Sequence, residues 1–229
     1  MSGPGRLLRP SGLVPYDQAY DEMHLLAERR AEGEIPDTLI LLEHRPVYTA
    51  GRRSSPDHVR WARETMEAAG AEFHEVDRGG SVTFHGPGQL VGYPIVDLGN
   101  APDVIRYLRK LEEVIIRSGA DAGVSGLTRD PERTGVWAGQ HKVCAIGVKL
   151  IRARVTLHGF ALNCTTDLSW FDAIVPCGLA DRGVTSLSTL AGRPITVDEM
   201  VPRVVERFQE VFDVAFEPAH ASLEAVAAV

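Results

Sequence analysis

Cys177 is the residue whose surroundings most clearly favour covalent chemistry. It lies between a proline and a glycine in the segment IVPCGL, Ile174–Leu179. A buried cysteine behaves as a small apolar side chain and is usually inert. A thiol between a rigid and a permissive residue can instead be presented to a substrate, and its thiolate is a strong nucleophile. The pattern therefore predicts a nucleophile at Cys177, with an inert cysteine as the alternative.

A nucleophilic Cys177 needs a neighbouring base or positive charge, because a free thiol is mostly protonated at neutral pH. Four side chains are candidates for this role: His85, His158, Lys142 and Lys149. A desolvated lysine has a pKa closer to that of a thiol, and as an ammonium it stabilises a thiolate. A histidine between apolar residues, such as His158, is more often a hydrogen-bonded core residue. Spacing in the sequence does not choose among the four.

A glycine-rich stretch, RGGSVTFHGPGQLVGYP at Arg78–Pro94, has two interpretations. The Pro87-Gly88 pair fits the centre of a type II turn, which predicts a hairpin with a tight bend. Glycines early in the stretch also let a ligand approach the backbone closely, which predicts a binding loop. Arg78 and His85 would then recognise a carbonyl or carboxylate. Both interpretations stay open on the sequence alone.

The elements that would position these residues are helices packed on a sheet. Helical periodicity predicts three helices, over Tyr16–Glu32, over Pro102–Ser118 and from Thr196 to Val211. The second helix is expected to carry Pro102 in its first turn and to end at Gly119. A Thr-x-x-Glu capping pattern opens the third helix, and a proline interrupts it.

Short β-prone runs between these helices predict strands. The runs are Thr38–Leu42, Glu72–Val76, Val82–Phe84, Leu90–Leu98, Val136–Trp137, Val143–Ile151 and Val155–Leu162. Consecutive runs without an intervening helix, from Glu72 to Leu98 and from Val136 to Leu162, indicate antiparallel pairing. The predicted fold class is therefore α/β (α+β), with helices packed on a mostly antiparallel mixed sheet.

The composition is that of one globular domain. The 229 residues are 44% hydrophobic and contain no long apolar run, so we expect one domain over residues 1–229 and no membrane segment. Residues from about 220 to 229 are expected to form a frayed tail. Three sparse cysteines and the absence of a signal-peptide pattern predict a cytoplasmic protein with free thiols.

Several classes of ligand are disfavoured by composition and motif. The net charge of −7 argues against nucleic acid as a partner. The sequence lacks GxGxxG and GxxxxGK[ST], the two common nucleotide-phosphate cradles. It also has no CxxC or HxxxH pair, so we expect no metal site.

Taken together and in order, the motifs resemble the lipoyl(octanoyl) transferases, the octanoyltransferase family of lipoate biosynthesis. The matching segments are EHRPVYTAGRR at Glu43–Arg53, the stretch Arg78–Pro94, TGVW and HKVCAIGVK around Lys142, HGFALN at His158–Asn163, IVPCG, and VTSL at Val184–Leu187. The resemblance covers most of the chain. It implies a fold similar to the catalytic domains of biotin and lipoate protein ligases.

The resemblance also implies a set of site residues. Cys177 matches the acyl-thioester cysteine of the family, and Lys142 matches the lysine that lowers the pKa of that cysteine. The substrate-binding positions implied are Arg78, Gly79, Gly80, Ser81, Val82, Thr83, Phe84, His85, Ala145, Ile146, Gly147, Gly159, Phe160 and Ala161. Cys144 is a departure, because it places a second thiol two residues beyond Lys142, where it could compete for an acyl label.

The implied reaction has two steps and needs no ATP or other cofactor. The Cys177 thiolate attacks the octanoyl thioester of an acyl carrier protein, and the target lysine of a lipoyl domain then attacks the acyl-enzyme. The implied acceptors are the lipoyl domains of 2-oxoacid dehydrogenase E2 subunits and the glycine cleavage H protein. Arg45, Arg52 and Arg53 could receive the acidic carrier protein, or be ordinary solvated charges. We expect a monomer.

Other functions remain open at this stage. An ATP-dependent lipoate or biotin ligase of similar fold would form an acyl-adenylate and would need no thiol. A non-catalytic acyl-chain-binding or carrier-binding module would use the glycine loops only as contact surface. A thioesterase would release octanoate without an acceptor domain.

Overall fold

The computed structural model describes residues 4–175 and 182–217. The predicted nucleophile Cys177 lies outside the described residues, as does the predicted tail over residues 220–229. Within the described part of the chain, no helix is long and apolar enough to cross a membrane.

Helices and short strands follow one another along the chain. The strands are β1 Arg6–Leu8, β2 Leu13–Val14, β3 Thr38–His44, β4 Val47–Ala50, β5 Glu72–Glu75, β6 Val82–His85, β7 Gln89–Ile95, β8 Thr128–Arg129, β9 Val136–Ala138, β10 His141–Ile151, β11 Val155–Asn163 and β12 Gly183–Val184. The α-helices are α1 Tyr16–Glu32, α2 Arg63–Ala68, α3 Val104–Asp121, α4 Leu187–Ala191 and α5 Val197–Phe212. Two 3-10 helices cover Pro56–His58 and Leu168–Ala173.

The main sheet is mixed and mostly antiparallel, which confirms the predicted fold class. Its strand order is β1-β3-β7-β11-β10-β9-β8, with β2 beside β3 and β12 beside β10. The pairs along the centre, from β3 to β9, are all antiparallel. Strands β1, β2 and β12 add parallel pairs at the margins. The predicted antiparallel run from Val136 to Leu162 forms as β9, β10 and β11.

The strands between Glu72 and Leu98 do not pair as predicted. Strand β4 lies in the centre of a separate small sheet, parallel to β5 and antiparallel to β6, while β7 joins the main sheet. The Gln89 N–H does donate to the Gly86 carbonyl at 3.2 Å across Pro87-Gly88. The predicted turn is therefore confirmed but the hairpin is wrong, because this turn carries the chain from one sheet to the other. The short run Val47–Ala50 was not predicted as a strand.

Helix α1 has the predicted bounds, whereas α3 differs from its prediction at both ends. Asp103 caps α3 by accepting a hydrogen bond from the Arg106 N–H at 2.9 Å, so Pro102 lies before the helix. Gly119 does not end it: a Cβ on Gly119 would lie 2.4 Å from a Leu127 methyl carbon. Tertiary packing thus explains this glycine. In α5, the capping threonine and the internal proline are found as predicted.

Helices cover both faces of the main sheet, and the side chains of the strands alternate between them. Leu39 and Leu41 of β3 belong to the hydrophobic core under α3 and α5. Ile40 and Leu42 belong to the core under α1. Such alternation follows from the two-residue period of a strand. A third, smaller core lies beneath the small sheet.

Replacing Leu111 with alanine should destabilise the fold by about 2–5 kcal/mol, because this α3 side chain is fully buried in the core. The measurement is urea-induced unfolding. Ile105→Ala is the matched control on the same helix, since Ile105 is 67% exposed. Its free energy of unfolding should stay within about 0.5 kcal/mol of the parent. An equal loss of unfolding free energy in both variants would contradict the burial of Leu111 in the core under α3.

Candidate functional site

A cleft of about 510 Å³ lies between the β10–β11 pair and the loop that precedes β6. The predicted site residues that line it are Arg78, Gly79, Gly80, Ser81, Val82, Thr83, His85, Lys142, Ala145, Ile146, Gly147, Gly159, Phe160 and Ala161. The segment from Arg78 to His85 therefore meets the two strands of the β10–β11 hairpin around one space. That these residues bind substrate stays a prediction.

Phe84 is the predicted site residue that the structure places elsewhere. Its side chain is fully buried in the small-sheet core and does not line the cleft. The Phe84 ring stacks on Trp170 at a centroid distance of 5.1 Å and meets Tyr48 at 5.3 Å. Since side chains alternate along a strand, Phe84 points away from the face that carries Thr83 and His85.

Arg78 holds its own loop together. Its Nη1 donates to the Ser81 carbonyl at 2.8 Å, and its Nη2 donates to the Thr49 carbonyl at 2.6 Å and to Thr49 Oγ1 at 2.8 Å. The sequence suggested that Arg78 recognises a carbonyl or carboxylate of a ligand. In the structure, the terminal nitrogens of the guanidinium already donate hydrogen bonds to carbonyls of the protein. Arg78 therefore fixes the loop that lines the cleft.

Close packing of backbone on backbone sets one wall of the cleft. The Gly79 N–H donates to the Val148 carbonyl at 3.2 Å, which docks the loop on β10. Gly147 lies opposite Gly159 in the β10–β11 ladder. A Cβ on Gly147 would approach the Gly79 carbonyl oxygen to 2.8 Å, closer than real contacts allow. A glycine is thus required at position 147 for the loop to reach the sheet.

A buried polar wall of aromatic and histidine side chains lies behind the loop. His44 Nδ1–H donates to the Val14 carbonyl at 2.9 Å, and its Nε2 accepts from the Tyr93 hydroxyl at 2.7 Å. His85 Nδ1–H donates to Gln89 Oε1 at 2.8 Å. Burial lowers the pKa of His44 to about 4 and that of His85 well below its usual range. Both imidazoles are therefore neutral at pH 7.

The polar wall includes residues that the sequence did not single out. Tyr16 and Tyr93 line the cleft, and the Tyr16 ring lies parallel to His85 at 6.3 Å. Burial raises the pKa of Tyr93 well above its usual range. His44 lies in Glu43–Arg53, one of the segments that carry the family resemblance. That resemblance was the one feature of the sequence that indicated a role for this part of the wall.

His158 and Lys149 share one carboxylate. His158 Nε2–H donates to Asp77 Oδ1 at 2.7 Å, and the Lys149 ammonium contacts Asp77 Oδ2. The hydrogen bond from His158 is the main reason that the pKa of Asp77 lies well below its usual range. His158 also has a left-handed φ of +59°, a conformation that costs energy in a non-glycine residue. Of the four candidate helpers, these two are thus engaged by Asp77.

Lys142 occupies a different part of the cleft. Its side chain is buried, with Nζ donating to the Thr134 carbonyl at 3.3 Å. The same nitrogen lies 4.6 Å from the centre of the Trp137 ring. The pairing of Lys142 with Cys177 stays a prediction, because the cysteine lies outside the described residues.

The two described cysteines are poor nucleophiles. Cys144 and Cys164 are both free thiols without exposed surface. Burial raises the pKa of Cys164 to about 12 and raises that of Cys144 further. The sequence suggested that Cys144 could compete for an acyl label, because it lies two residues from Lys142. Its burial disfavours such competition. Among the described residues, no group of three or more His, Cys, Asp or Glu side chains is placed to hold a metal ion.

Comparison with known proteins identifies the family. Residues 15–209 match the family described as "Lipoyl protein ligase A/B catalytic domain". The Octanoyltransferase of Rubrobacter xylanophilus is 50% identical over 204 residues, which cover 89% of this chain and 91% of that protein. The Octanoyltransferase of Acidothermus cellulolyticus is also 50% identical over 204 residues, covering 87% and 88%. The chain belongs to the octanoyltransferase family. As a member of this family it is an acyltransferase of the lipoate pathway.

The fold of this octanoyltransferase-family chain is shared with more distant enzymes. A bipartite lipoate protein ligase of Thermoplasma acidophilum, studied with its E2 lipoyl domain, has a TM-score of 0.75 and 18% sequence identity. The comparison covers 97% of this chain and 89% of that one. The fold predicted from the resemblance, that of the lipoate ligase catalytic domains, is thus confirmed.

Gly147→Ala should lower the octanoyl-transfer rate of this family member, because the added methyl group pushes the Gly79 carbonyl away from β10. A displacement of about 1 Å can cost on the order of a hundredfold in rate. The measurement is steady-state transfer to a lipoyl domain. Gly33→Ala is the control for a strained glycine outside the cleft: its φ of +80° disfavours alanine, but a Cβ there meets nothing within 4 Å, so the transfer rate should stay near that of the parent. A fully active Gly147→Ala protein would contradict the close approach.

The stability of the protein should fall as the pH drops from about 6.5 to about 4, partly through His44. In the unfolded chain this histidine takes up a proton below about pH 6.5, whereas in the folded protein its pKa is about 4. Its contribution is therefore complete above pH 6.5 and is lost on acidification. His44→Gln should weaken this pH dependence without abolishing it, since His85 remains. Urea unfolding at pH 7 and pH 5 measures how the free energy of unfolding depends on pH. An identical pH dependence in the parent and in His44→Gln would refute the contribution of His44.

Proposed function

We propose that the chain transfers an octanoyl group from octanoyl-acyl carrier protein to the target lysine of lipoyl domains, through an acyl thioester on Cys177. The observation that carries the proposal is the convergence of Lys142 with the predicted acyl-binding segments around one cleft. Family membership supports the acyl group and the reaction class. The T. acidophilum ligase and its E2 lipoyl domain support a lipoyl domain as the acceptor.

The ends of the segment that carries Cys177 support its pairing with Lys142. On one side, the Val175 N–H donates to the His58 carbonyl at 2.8 Å. On the other side, Val184 of β12 pairs with Lys142 of β10. Both flanks of residues 176–181 are therefore attached beside the cleft, and one of them is in register with the proposed catalytic lysine.

The first step forms the acyl-enzyme. The Cys177 thiolate attacks the thioester carbonyl of the carrier, the carbon–sulfur bond to phosphopantetheine breaks, and the released thiolate takes a proton from the Lys142 ammonium, which leaves Lys142 as a neutral amine for the second step. The Lys142 ammonium favours the thiolate form of Cys177 by charge attraction. Backbone N–H groups of the glycine-rich segments are the donors that could face the developing oxyanion, an interaction worth about 2.7–4 kcal/mol for one donor in other acyl-transfer enzymes.

The second step forms the amide. The amine of the acceptor lysine attacks the Cys177 thioester, the carbon–sulfur bond breaks, and the excess proton of the amine passes to Lys142 or to the departing thiolate. Exchange between thioesters is nearly balanced in free energy, and conversion of a thioester into an amide is downhill. The reaction we propose consequently uses no ATP, metal or other cofactor.

The surroundings of the cleft are compatible with protein substrates. Arg45, Arg52 and Arg53 are exposed, and Arg53 also lines the cleft. In a chain with a net charge of −7, such a group is a local attraction for an acidic carrier protein. We further propose that the enzyme works as a monomer in the cytoplasm, where a reducing environment keeps Cys177 available as a thiol.

Incubation with octanoyl-acyl carrier protein should place one octanoyl group on Cys177, detected by intact mass spectrometry and peptide mapping. Adding a lipoyl domain should remove it. Cys177→Ser should carry no thioester, and Lys142→Ala should acylate at least tenfold more slowly, because one positioned acid–base group contributes roughly a hundredfold or more. Cys164→Ala is the control and should be acylated normally.

Three results would contradict the proposal. An adduct found only on Cys144 or Cys164, or no adduct at all, would remove Cys177 as the nucleophile. Turnover of free octanoate that depends on ATP would revive the ligase alternative. Release of octanoate at full rate without an acceptor domain would indicate a thioesterase.

A further inference from the structure

One peptide group joins Lys142 to a buried carboxylate on helix α3. The carbonyl of Thr134 accepts a hydrogen bond from Lys142 Nζ at 3.3 Å. The N–H of the same peptide group belongs to Gly135 and donates to Glu112 Oε1 at 3.0 Å. A peptide group is planar and rigid, so fixing its N–H fixes the direction of its carbonyl. Glu112 and the Lys142 ammonium are therefore linked through one rigid peptide group.

The loop has no spare room at this point. Gly135 has a φ of +132°, which side-chain-bearing residues rarely adopt. A Cβ on Gly135 would lie 2.7 Å from the Cys144 carbonyl oxygen and 3.2 Å from Lys142 Cε. The peptide group is thus pressed against both β10 and the aliphatic part of the lysine. A carbonyl and an aromatic face, here that of Trp137, are partners that a charged amine prefers.

The burial of Glu112 calls for a reason. Its side chain has no exposed surface, and its Oε2 accepts from Arg109 Nη1 at 2.8 Å with Arg129 Nε at 3.6 Å. Arg109 also donates to the Asp130 carbonyl at 3.2 Å, further along the same loop. Buried ion pairs add little net stability, because desolvation offsets the attraction between the charges. Placement of the loop explains this cluster better than stability does.

We infer that Glu112 is a positioning residue for the acyl-transfer reaction, acting through the Thr134–Gly135 peptide group on the Lys142 ammonium. The inference rests on the proposed role of Lys142 beside Cys177. A carboxylate that accepts the N–H also polarises the peptide group, which makes its carbonyl a stronger acceptor. Glu112 does not line the cleft, so its removal should change the chemical step more than substrate binding.

The test is the pH dependence of Cys177 alkylation by iodoacetamide, read at this residue by peptide mass spectrometry. Glu112→Ala should move the midpoint to higher pH, in the same direction as Lys142→Ala. It should also lower kcat for octanoyl transfer by roughly tenfold to a hundredfold, with little change in KM for octanoyl-acyl carrier protein. A purely structural role would lower stability without moving the midpoint of the folded protein.

Glu113→Ala is the matched control on α3. Glu113 is the adjacent carboxylate, it pairs with Arg117 and Arg129, and its side chain is 28% exposed. Its alkylation midpoint and kcat should equal those of the parent. Circular dichroism and urea unfolding establish that each variant is folded.

The possible outcomes separate the inference from the proposed function. A folded Glu112→Ala protein with the parent's midpoint overturns the inference. If that variant does not fold, Glu112→Gln keeps the shape and one acceptor and should give an intermediate shift, so an unshifted midpoint in it also overturns the inference. If Lys142→Ala itself leaves the midpoint unchanged, the proposed role of Lys142 fails, and the inference fails with it.

Discussion

The antiparallel register of β10 and β11 is the constraint on which the cleft depends. It sets Ala145 opposite Ala161 and Gly147 opposite Gly159, so the two strands of this hairpin form one floor of the cleft. Lys142 lies on the first of these strands. A slip of one residue would turn every side chain to the other face of the sheet and remove the glycine on which the neighbouring loop rests. Packing of helices on both faces holds that register.

Much of the rest of the cleft is built from buried polar groups that hydrogen-bond to one another and to the backbone. The terminal nitrogens of Arg78 donate hydrogen bonds to backbone carbonyls, and His85 donates to Gln89. Gln89 in turn donates to Asn163 Oδ1 at 2.9 Å, and Asn163 donates to the Thr185 carbonyl beyond β12. Such a network is costly when incomplete, so it specifies one arrangement of the loops. Within this network His85 is neutral, which is compatible with the uncharged acyl chain of the proposed substrate.

Much of this arrangement could be predicted from the sequence, and the failures have physical causes. Long amphipathic helices and the run of strands from Val136 to Leu162 follow from periodicity, which is a local property. The pairing of β4 with β5 and β6 joins segments separated by long stretches of chain, and no local pattern encodes it. Gly119 was predicted to end α3, because glycine commonly ends helices. Its actual reason is the close packing of Leu127, a contact that the sequence does not show. The family resemblance placed Phe84 in a substrate-binding segment. Because side chains alternate along a strand, however, its ring points into the core of the small sheet.

The sequence by itself determined the family, the fold class and most of the residues that gather around the cleft, because ordered motifs and periodic patterns can be recognised without coordinates. The sequence left four side chains as candidates to activate Cys177, and their spacing along the chain did not distinguish among them. Only the tertiary structure showed that Asp77 engages His158 and Lys149, and that Glu112 reaches Lys142 through one peptide group. These contacts join residues from different elements, and their distances depend on how helices and strands pack, which no linear pattern contains.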